Sequence, residues 1–446
     1  MSCRSPHCLV PFAFVLVCVP LATALSAREG LSAPERRLVA RVDAHRESAV
    51  DLLRRVVDQP SATENLDGVR GVGAIFAAEL AALGFETRWI ELPKEVGRAG
   101  HLVAEHRGDT RGGGTRGGRA KRLLLIGHLD TVLEGEPFRR EGERAFGSGV
   151  SDMKGGDVVI VEALRALAEE GLLAGRQVIV VLTGDEENPG EPHAASRAAL
   201  VEAAGRSDLA LAFEGSVPGA AVVGRRGIAS WRIETTGSTG HSSRIFGPDR
   251  GDGAIFEVAR ILTTFRTELP EPNLTFNPSV VVGGTEAELS ESSASGHATG
   301  KHNVVAARAA VEGDLRFLSS EQRDRVEGRM REIVARNSPK TTATISFVDG
   351  MPAMAPTDGN RALLATLDRA SRDLGTGPYV EHDPNLRGAG DISFVAHLLP
   401  CLDGLGALGE QEHARGEYVD LAELPRLIQR AALLVHRLGA PPEPGK

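Results

Sequence analysis

Cysteine is scarce in this chain of 446 residues: there are four, and Cys3, Cys8 and Cys18 all fall near the N-terminus. Residues 1–27 read as a signal peptide, with Arg4 as a short basic region, Leu9 to Leu21 as the apolar region, and Ala22-Thr-Ala24 or Leu25-Ser-Ala27 as a small-residue exit. Removing that segment leaves Cys401 alone, which excludes an intrachain disulfide in the mature protein. Long apolar runs are also missing. The run in the leader is broken by Pro11 and Pro20 and falls short of the roughly 20 residues a spanning helix needs. Val15-Leu-Val17 ahead of Cys18 lacks the small residues of a lipidation site. The expectation is an exported protein, secreted or periplasmic, with no membrane anchor once the signal is gone. There is no basic excess either. The formal charge is −9, and loss of Arg4, with no acidic residue before Glu29, takes it to −10. Nothing here has the footprint of a nucleic-acid binder.

What the sequence does have is enough apolar residue, 41%, to bury large cores and to divide into two domains. Its central stretch is Arg122 to Val132. Leu123 to Ile126 read as a buried strand, Gly127 ends the run, and His128 and Asp130 follow at spacing two, on one face of an extended segment. Ahead of it the pattern predicts helices over 35–57 and 69–83, strands over 85–91 and 101–106, and a mobile surface hairpin in the glycine- and arginine-rich 108–119. After it come a turn-rich loop carrying Asp152, a helix over 157–169, and a buried strand over 177–182 ending in Glu186 and Glu187. A helix over 194–204 and a strand over 209–213 ending in Glu214 follow. Apolar strands alternating with helices argue an α/β layer, a largely parallel sheet flanked by helices, with its ligand site at the strand ends.

From Arg226 to about Met354 the order changes to β-α-β-β-α-β: strand 228–236, helix 254–265, strands 279–282 and 304–317, helix 321–337, strand 342–348. This is the ferredoxin-like α+β pattern, read as an inserted domain over 224–354. It splits the first domain into 28–223 and 355–446. The second part carries a helix over 361–374, the Gly388-Ala-Gly390-Asp391 turn, a strand over 401–405, His413 and a helix over 421–438. Collected at strand and loop ends are two imidazoles, several carboxylates and no thiolate. That set suits zinc, or manganese or cobalt, in a hydrolytic site. Of the adjacent acids, Glu187 is suited to ligate and Glu186 to face the attacking water as base, because successive side chains diverge.

The motifs GHLDTV, SDMKGG, TGDEEN, FEGS and EQEHARGEYVD, in this order and at these separations, resemble the metallopeptidases that include glutamate carboxypeptidase, aminoacylase, acetylornithine deacetylase and succinyl-diaminopimelate desuccinylase. The resemblance covers essentially the whole mature chain. It implies two zinc ions per subunit, with Asp152 bridging both, His128 and Glu214 completing one and Glu187 and His413 the other. Asp130 would orient His128, and Glu186 would be general base and then acid to the leaving amine. It also implies a homodimer formed through the inserted domain, which acts as a lid. His241 of Gly237-Ser-Thr-Gly-His241 would then reach the partner's site to stabilise the oxyanion. Asn303 and Arg316 would hold the substrate's carboxylate, and Gly390 would lie beside the substrate. Ala306 stands where the family usually has proline, and 288–301 is a polar insertion just before Asn303. The resemblance leaves two enzyme readings, an exopeptidase on small peptides and an N-acyl amino acid deacylase. Export favours the first. A secreted metal- or peptide-binding protein without turnover is the reading from another class, and Glu186, useless to a pure binder, argues against it.

Overall fold

The computed structural model describes residues 30–108, 120–290 and 294–440. The signal segment with its three cysteines, and 109–119 of the expected surface hairpin, lie outside the described residues.

The chain starts with helices α1 (Ala33–Ala44), α2 (Arg46–Val57) and α3 (Leu66–Ala82). Ser32 and Glu35 close a capping box at the start of α1. The single helix expected over 35–57 is two, divided at His45. The apolar stripe runs through both, so periodicity could not see the break. The main sheet is built from β1 (Glu86–Ile90), β2 (His101–His106), β3 (Leu123–His128), β4 (Val178–Thr183), β5 (Leu209–Ala212) and, from the far end of the chain, β10 (Cys401–Leu402), in spatial order β1-β2-β4-β3-β5-β10. Only β2 runs against the others. All six residues of β3 are buried. Leu123 and Leu125 enter the core under α1, α2, α4 (Lys154–Glu169) and α8 (Leu424–Leu438), while Leu124 and Ile126 enter a second core with Leu200, Ala203 and Ile392. A strand buried on both faces reads as a continuous apolar run for this reason. The helix expected over 194–204 is also two, separated at Arg197, whose buried guanidinium pairs with Asp185 at 2.6 Å and Asp391 at 2.7 Å.

The inserted segment carries β6 (Gly227–Gly237), α5 (Ala254–Glu268), β7 (Thr275–Gly284), β8 (Arg308–Phe317), α6 (Ser320–Val334) and β9 (Thr341–Asp349). Its sheet has the order β7-β8-β6-β9, antiparallel throughout. Trp231, Ile233, Val311 and Leu315 face Ile261, Phe265, Met330 and Ile333 of the helices in a core of their own. Where the chain crosses in and out, Arg225 and Met354 exchange both backbone hydrogen bonds at 2.9 Å. The polar insertion forms a short hairpin, Glu286–Leu289 with Gly296–Thr299. Helix α7 (Asp358–Asp373) then returns the chain to the first layer.

Candidate metal centre

Parallel pairing sets the site. β3 lies between β4 and β5, with His128 opposite Thr183 and Ile126 opposite Ala212. Residues just past those positions, Glu186 and Glu187 on one side and Glu214 on the other, therefore emerge at the same sheet edge as His128, the carboxyl end where such sheets place ligands. Asp152 arrives from the loop ahead of α4. A Cβ on Gly156 would lie 2.0 Å from the Phe213 carbonyl oxygen, and one on Gly155 2.5 Å from that of Val150, so the paired glycines let α4 begin close under the strand ends.

Asp152 uses its two oxygens separately. Oδ1 is 3.1 Å from His128 Nε2, and Oδ2 is 2.9 Å from His413 Nε2. Glu214 Oε1 lies 3.9 Å from His128 Nε2, and Glu187 Oε2 3.1 Å from His413 Nε2. Donor atoms of His128, Asp152 and Glu214 fall within 4.8 Å of one another, as do those of Asp152, Glu187 and His413. Two three-residue groups thus share one carboxylate. His413 has φ +61° and Gln411 φ +65°. Left-handed backbone costs a residue with a Cβ about 1–2 kcal/mol, and such positions cluster at functional sites.

The donor set fits divalent cations. It is nitrogen and oxygen without thiolate, and Glu187 Oε1 is buried with no partner among the described residues. Burial and the Asp152 charge raise the Glu214 carboxyl to about 8. Burial and the Glu214 charge hold the Glu186 carboxyl well above the usual range. Hydrogen bonds to Asp152 and Glu187 push the His413 imidazole up to about 11. Burial acts to lower His128, but the carboxylates of Asp130, Asp152 and Glu214 outweigh it and raise the imidazole well above its ordinary value. Without cations these groups hold protons, so metal uptake must displace protons and weaken in acid.

Several supporting residues have roles that only the structure shows, although Glu417 and Lys154 lie inside the EQEHARGEYVD and SDMKGG motifs. Glu417 is buried and accepts from the backbone N–H groups of Gly149 at 2.8 Å, Ser151 at 2.7 Å and Asp152 at 2.9 Å, fixing the loop that presents Asp152. Lys154, fully buried, donates to the Gln59 carbonyl at 2.9 Å. Asp130 does more than expected. Its carboxylate lies 3.5 Å from His128 Nδ1, while its own backbone oxygen is nearer, at 3.0 Å. The carboxylate also accepts from Glu186 N at 3.0 Å, Glu187 N at 3.1 Å and Thr63 Oγ1 at 2.7 Å, which holds both acids in place. Arg225 pairs with Asp403 at 2.5 Å and donates to the Ala389 carbonyl at 2.8 Å. A Cβ on Gly390 would stand 3.5 Å from Glu186 Oε1, so that turn does adjoin the base.

His241, Asn303 and Arg316 are placed elsewhere. His241 is exposed, bonds Ser243 Oγ at 2.8 Å, and bridges to Val304, while Ser242 N donates to the Asn303 carbonyl at 2.9 Å. Arg316 sits at the opposite end of β8, bound to Asp314 at 3.0 Å and paired with Thr275 and Ile228. Within one chain Asn303 and Arg316 do not meet.

A paired-carboxylate, two-imidazole centre at the strand ends of an α/β sheet defines a metal-dependent hydrolase. Residues 124–437 match the model of peptidase family M20/M25/M40, and the chain belongs to that family. It is 28% identical over 432 residues to carboxypeptidase G2 of Pseudomonas sp. (strain RS-16), covering 94% of this chain and 96% of that protein. It is 25% identical over 405 residues to the succinyl-diaminopimelate desuccinylase of Gluconacetobacter diazotrophicus, covering 87% of this chain and 97% of that one. In fold it is similar to the crystal structure of aminopeptidase PepT from Bacillus cereus, with TM-score 0.68 and 17% identity over 89% of this chain and 99% of that one. The YXEP protein of Bacillus subtilis, described as a dinuclear metal binding peptidase of the M20 family, gives TM-score 0.59 and 15% identity over 89% and 99%. The protein is thus a carboxypeptidase-like hydrolytic enzyme of this family, with zinc as its cofactor.

Proposed function

We propose that the protein is an exported exopeptidase of the glutamate carboxypeptidase type, which cleaves the amide bond next to a free carboxylate in a small peptide or N-acyl amino acid and works as a homodimer. The observation that carries the reading is the division of Asp152 between His128 and His413, with Glu186 beside them. Two divalent ions bound there supply a water that is nucleophilic near neutral pH. His128 and Glu214 would hold one ion, Glu187 and His413 the other, and Asp152 both. Glu186 takes the proton from the attacking water and returns it to the departing amine. A carboxyl raised by burial and neighbouring charge suits both halves of that task. Asp130 fixes the backbone of Glu186 and Glu187 and orients His128. Arg316 and Asn303 would bind the substrate's carboxylate, Gly390 would line its path, and His241 of the partner subunit would stabilise the oxyanion. The 224–354 segment is taken as the dimerising lid, inserted between 28–223 and 355–446. Similarity to carboxypeptidase G2 over nearly the full length of both chains supports the peptidase reading. Similarity to desuccinylases keeps a deacylase as the second reading.

Turnover of dipeptides, folate-like glutamates and N-acyl amino acids by zinc-loaded protein separates these. The proposal expects the highest kcat/KM on substrates with a free carboxylate beside the scissile amide. Preference for acyl amino acids over every peptide would favour the deacylase. No turnover of any member by metal-replete protein would leave a binding protein.

A further inference from the structure

Away from the metal centre, a cavity of about 910 Å³ is lined by Ser216, Leu374, Tyr379, Leu408, Leu427 and Arg430 among others, and by none of the five residues proposed as ligands. Arg430 is only 4% exposed, yet it forms no ion pair among the described residues. An arginine carries five N–H donors. Among the described residues Nη2 alone donates, to Ser216 Oγ at 3.3 Å, and the guanidinium lies 4.6 Å from the centre of the Tyr379 ring. Burial brings its pKa down to about 10, so it remains a cation at neutral pH. The other deeply buried arginines have stronger acceptors: Arg197 pairs with Asp185 and Asp391, Arg225 pairs with Asp403, and Arg176 donates to the Leu172 and His436 carbonyls, although Nε of Arg176 and of Arg225 has no hydrogen-bond partner among the described residues. The acids at this cavity are engaged elsewhere. Glu423 is held by Arg426 at 2.6 Å, and Asp420 accepts from Ala422 N at 2.8 Å.

We propose that this cavity is a second binding site, for a small organic carboxylate whose carboxyl group takes the free edge of Arg430 and whose apolar body lies along Tyr379, Leu408 and Leu427. A guanidinium fork fits a planar carboxylate through two parallel hydrogen bonds. A buried charge without a partner is a cost that such a ligand removes. The aliphatic and aromatic lining favours an organic anion over bare phosphate, which would gain nothing from it. Asp420 lines the same cavity, and its side chain's one bond among the described residues, to Ala422 N, uses Oδ1, so its carboxylate can still accept from an ammonium group and an amino acid meets the chemistry as well as a simple acid does.

The test uses zinc-loaded protein and three probes: phenylacetate, L-phenylalanine and inorganic phosphate, titrated by calorimetry into wild type, Arg430→Met and Arg430→Lys. The metal centre can also take a carboxylate, so the readout is the binding event lost in the variants. Phenylacetate should bind Arg430→Met at least tenfold more weakly at that event, with Arg430→Lys intermediate, and peptide turnover should be unchanged within about twofold. Tighter binding of L-phenylalanine than phenylacetate would assign Asp420 to the ammonium group. Identical isotherms in wild type and Arg430→Met would overturn the proposal, as would phosphate binding as well as phenylacetate does. If Arg430→Met does not fold, wild-type crystals soaked in 4-bromophenylacetate decide: anomalous bromine density beside Arg430 and Tyr379 supports the site, and density at the metal centre alone rejects it.

Discussion

Replacing Glu417 tests whether the loop carrying Asp152 is held by geometry or by charge. Glu417 Oε1 accepts from Ser151 N and Asp152 N, and Oε2 from Gly149 N. Glu417→Ala strips the acceptor from three backbone N–H groups, two of them in buried hydrogen bonds. Each buried donor left unpaired costs about 1–3 kcal/mol, and a water entering the space would recover part, so about 3–6 kcal/mol is expected. That is a large share of the roughly 5–15 kcal/mol that holds a domain folded. Glu417→Gln is the informative partner. Its Oε1 can keep Ser151 and Asp152, and its NH2 group meets the Gly149 N–H, so one bond of three is lost, about 1–3 kcal/mol. Zinc affinity should follow in the same order, by up to about 100-fold for alanine, since residues that orient a metal ligand typically contribute 10- to 100-fold. Urea unfolding of metal-free protein gives the first quantity and competition with a chromophoric chelator the second. If glutamine behaves like alanine, the charge is what matters and the hydrogen-bond account fails. If alanine binds zinc like wild type, Glu417 has no part in presenting Asp152.

Three further outcomes are expected. Glu186→Gln should keep two metals per chain by elemental analysis and lose about 10²- to 10⁴-fold in kcat, and a wild-type kcat would remove Glu186 as the base. Burial, seconded by Arg176, lowers the His436 pKa. As pH falls through about 6.5 the unfolded imidazole binds a proton that the folded one refuses, so stability drops on the acid side, and in urea melts His436→Gln should lose less than wild type there. Mixing inactive His241→Ala with inactive Glu186→Ala should restore about a quarter of wild-type turnover, because half of the randomly reassorted dimers are mixed and each holds one intact site. No recovery after verified subunit exchange would confine His241 to its own subunit or to no role.

The parts of the site written as short local patterns could be read in advance. A wholly apolar run ending in Gly127-His128 is a buried strand delivering a side chain to its end, and β3 is that strand. The same logic put Glu186, Glu187 and Glu214 after β4 and β5. Glu417 could not be read in this way, because what it binds is backbone N–H 265 residues earlier in the chain, and backbone groups leave no mark on a sequence. Asp130 was read as orienting His128 alone, since its second task depends on where the following strand deposits Glu186 and Glu187. The hairpin in the polar insertion was missed because only Leu289 of its two strands is buried, too little alternation to announce a strand. The break at Arg197 was hidden for the opposite reason: its neighbours are good helix formers, and the interruption follows from a guanidinium drawn to Asp185 and Asp391.

The inserted sheet also limits how a substrate is held. His241 and Asn303 gather near the Arg308 end of β8, and Arg316 is near the other. At about 3.3 Å per residue the strand spans about 26 Å between Arg308 and Arg316. An extended dipeptide is about 7 Å long and cannot touch both ends. If Asn303 and Arg316 serve one carboxylate, they must therefore come from different chains, and His241 travels with Asn303. The homodimer proposed above would meet that requirement if its twofold axis brought the His241 end of each insertion toward the other chain's catalytic edge. The surface for it is available: β7 is the outer strand of its sheet, and Phe246, Ile255, Phe256 and Val281 are exposed in the same segment. An unpaired strand edge beside exposed aromatic and aliphatic side chains is costly for a monomer to keep in water and well suited to be covered by its own copy. On this argument the separation of Asn303 from Arg316 within the chain is a reason to expect the dimer, and a monomer with full activity would remove His241 and Asn303 from the reaction together.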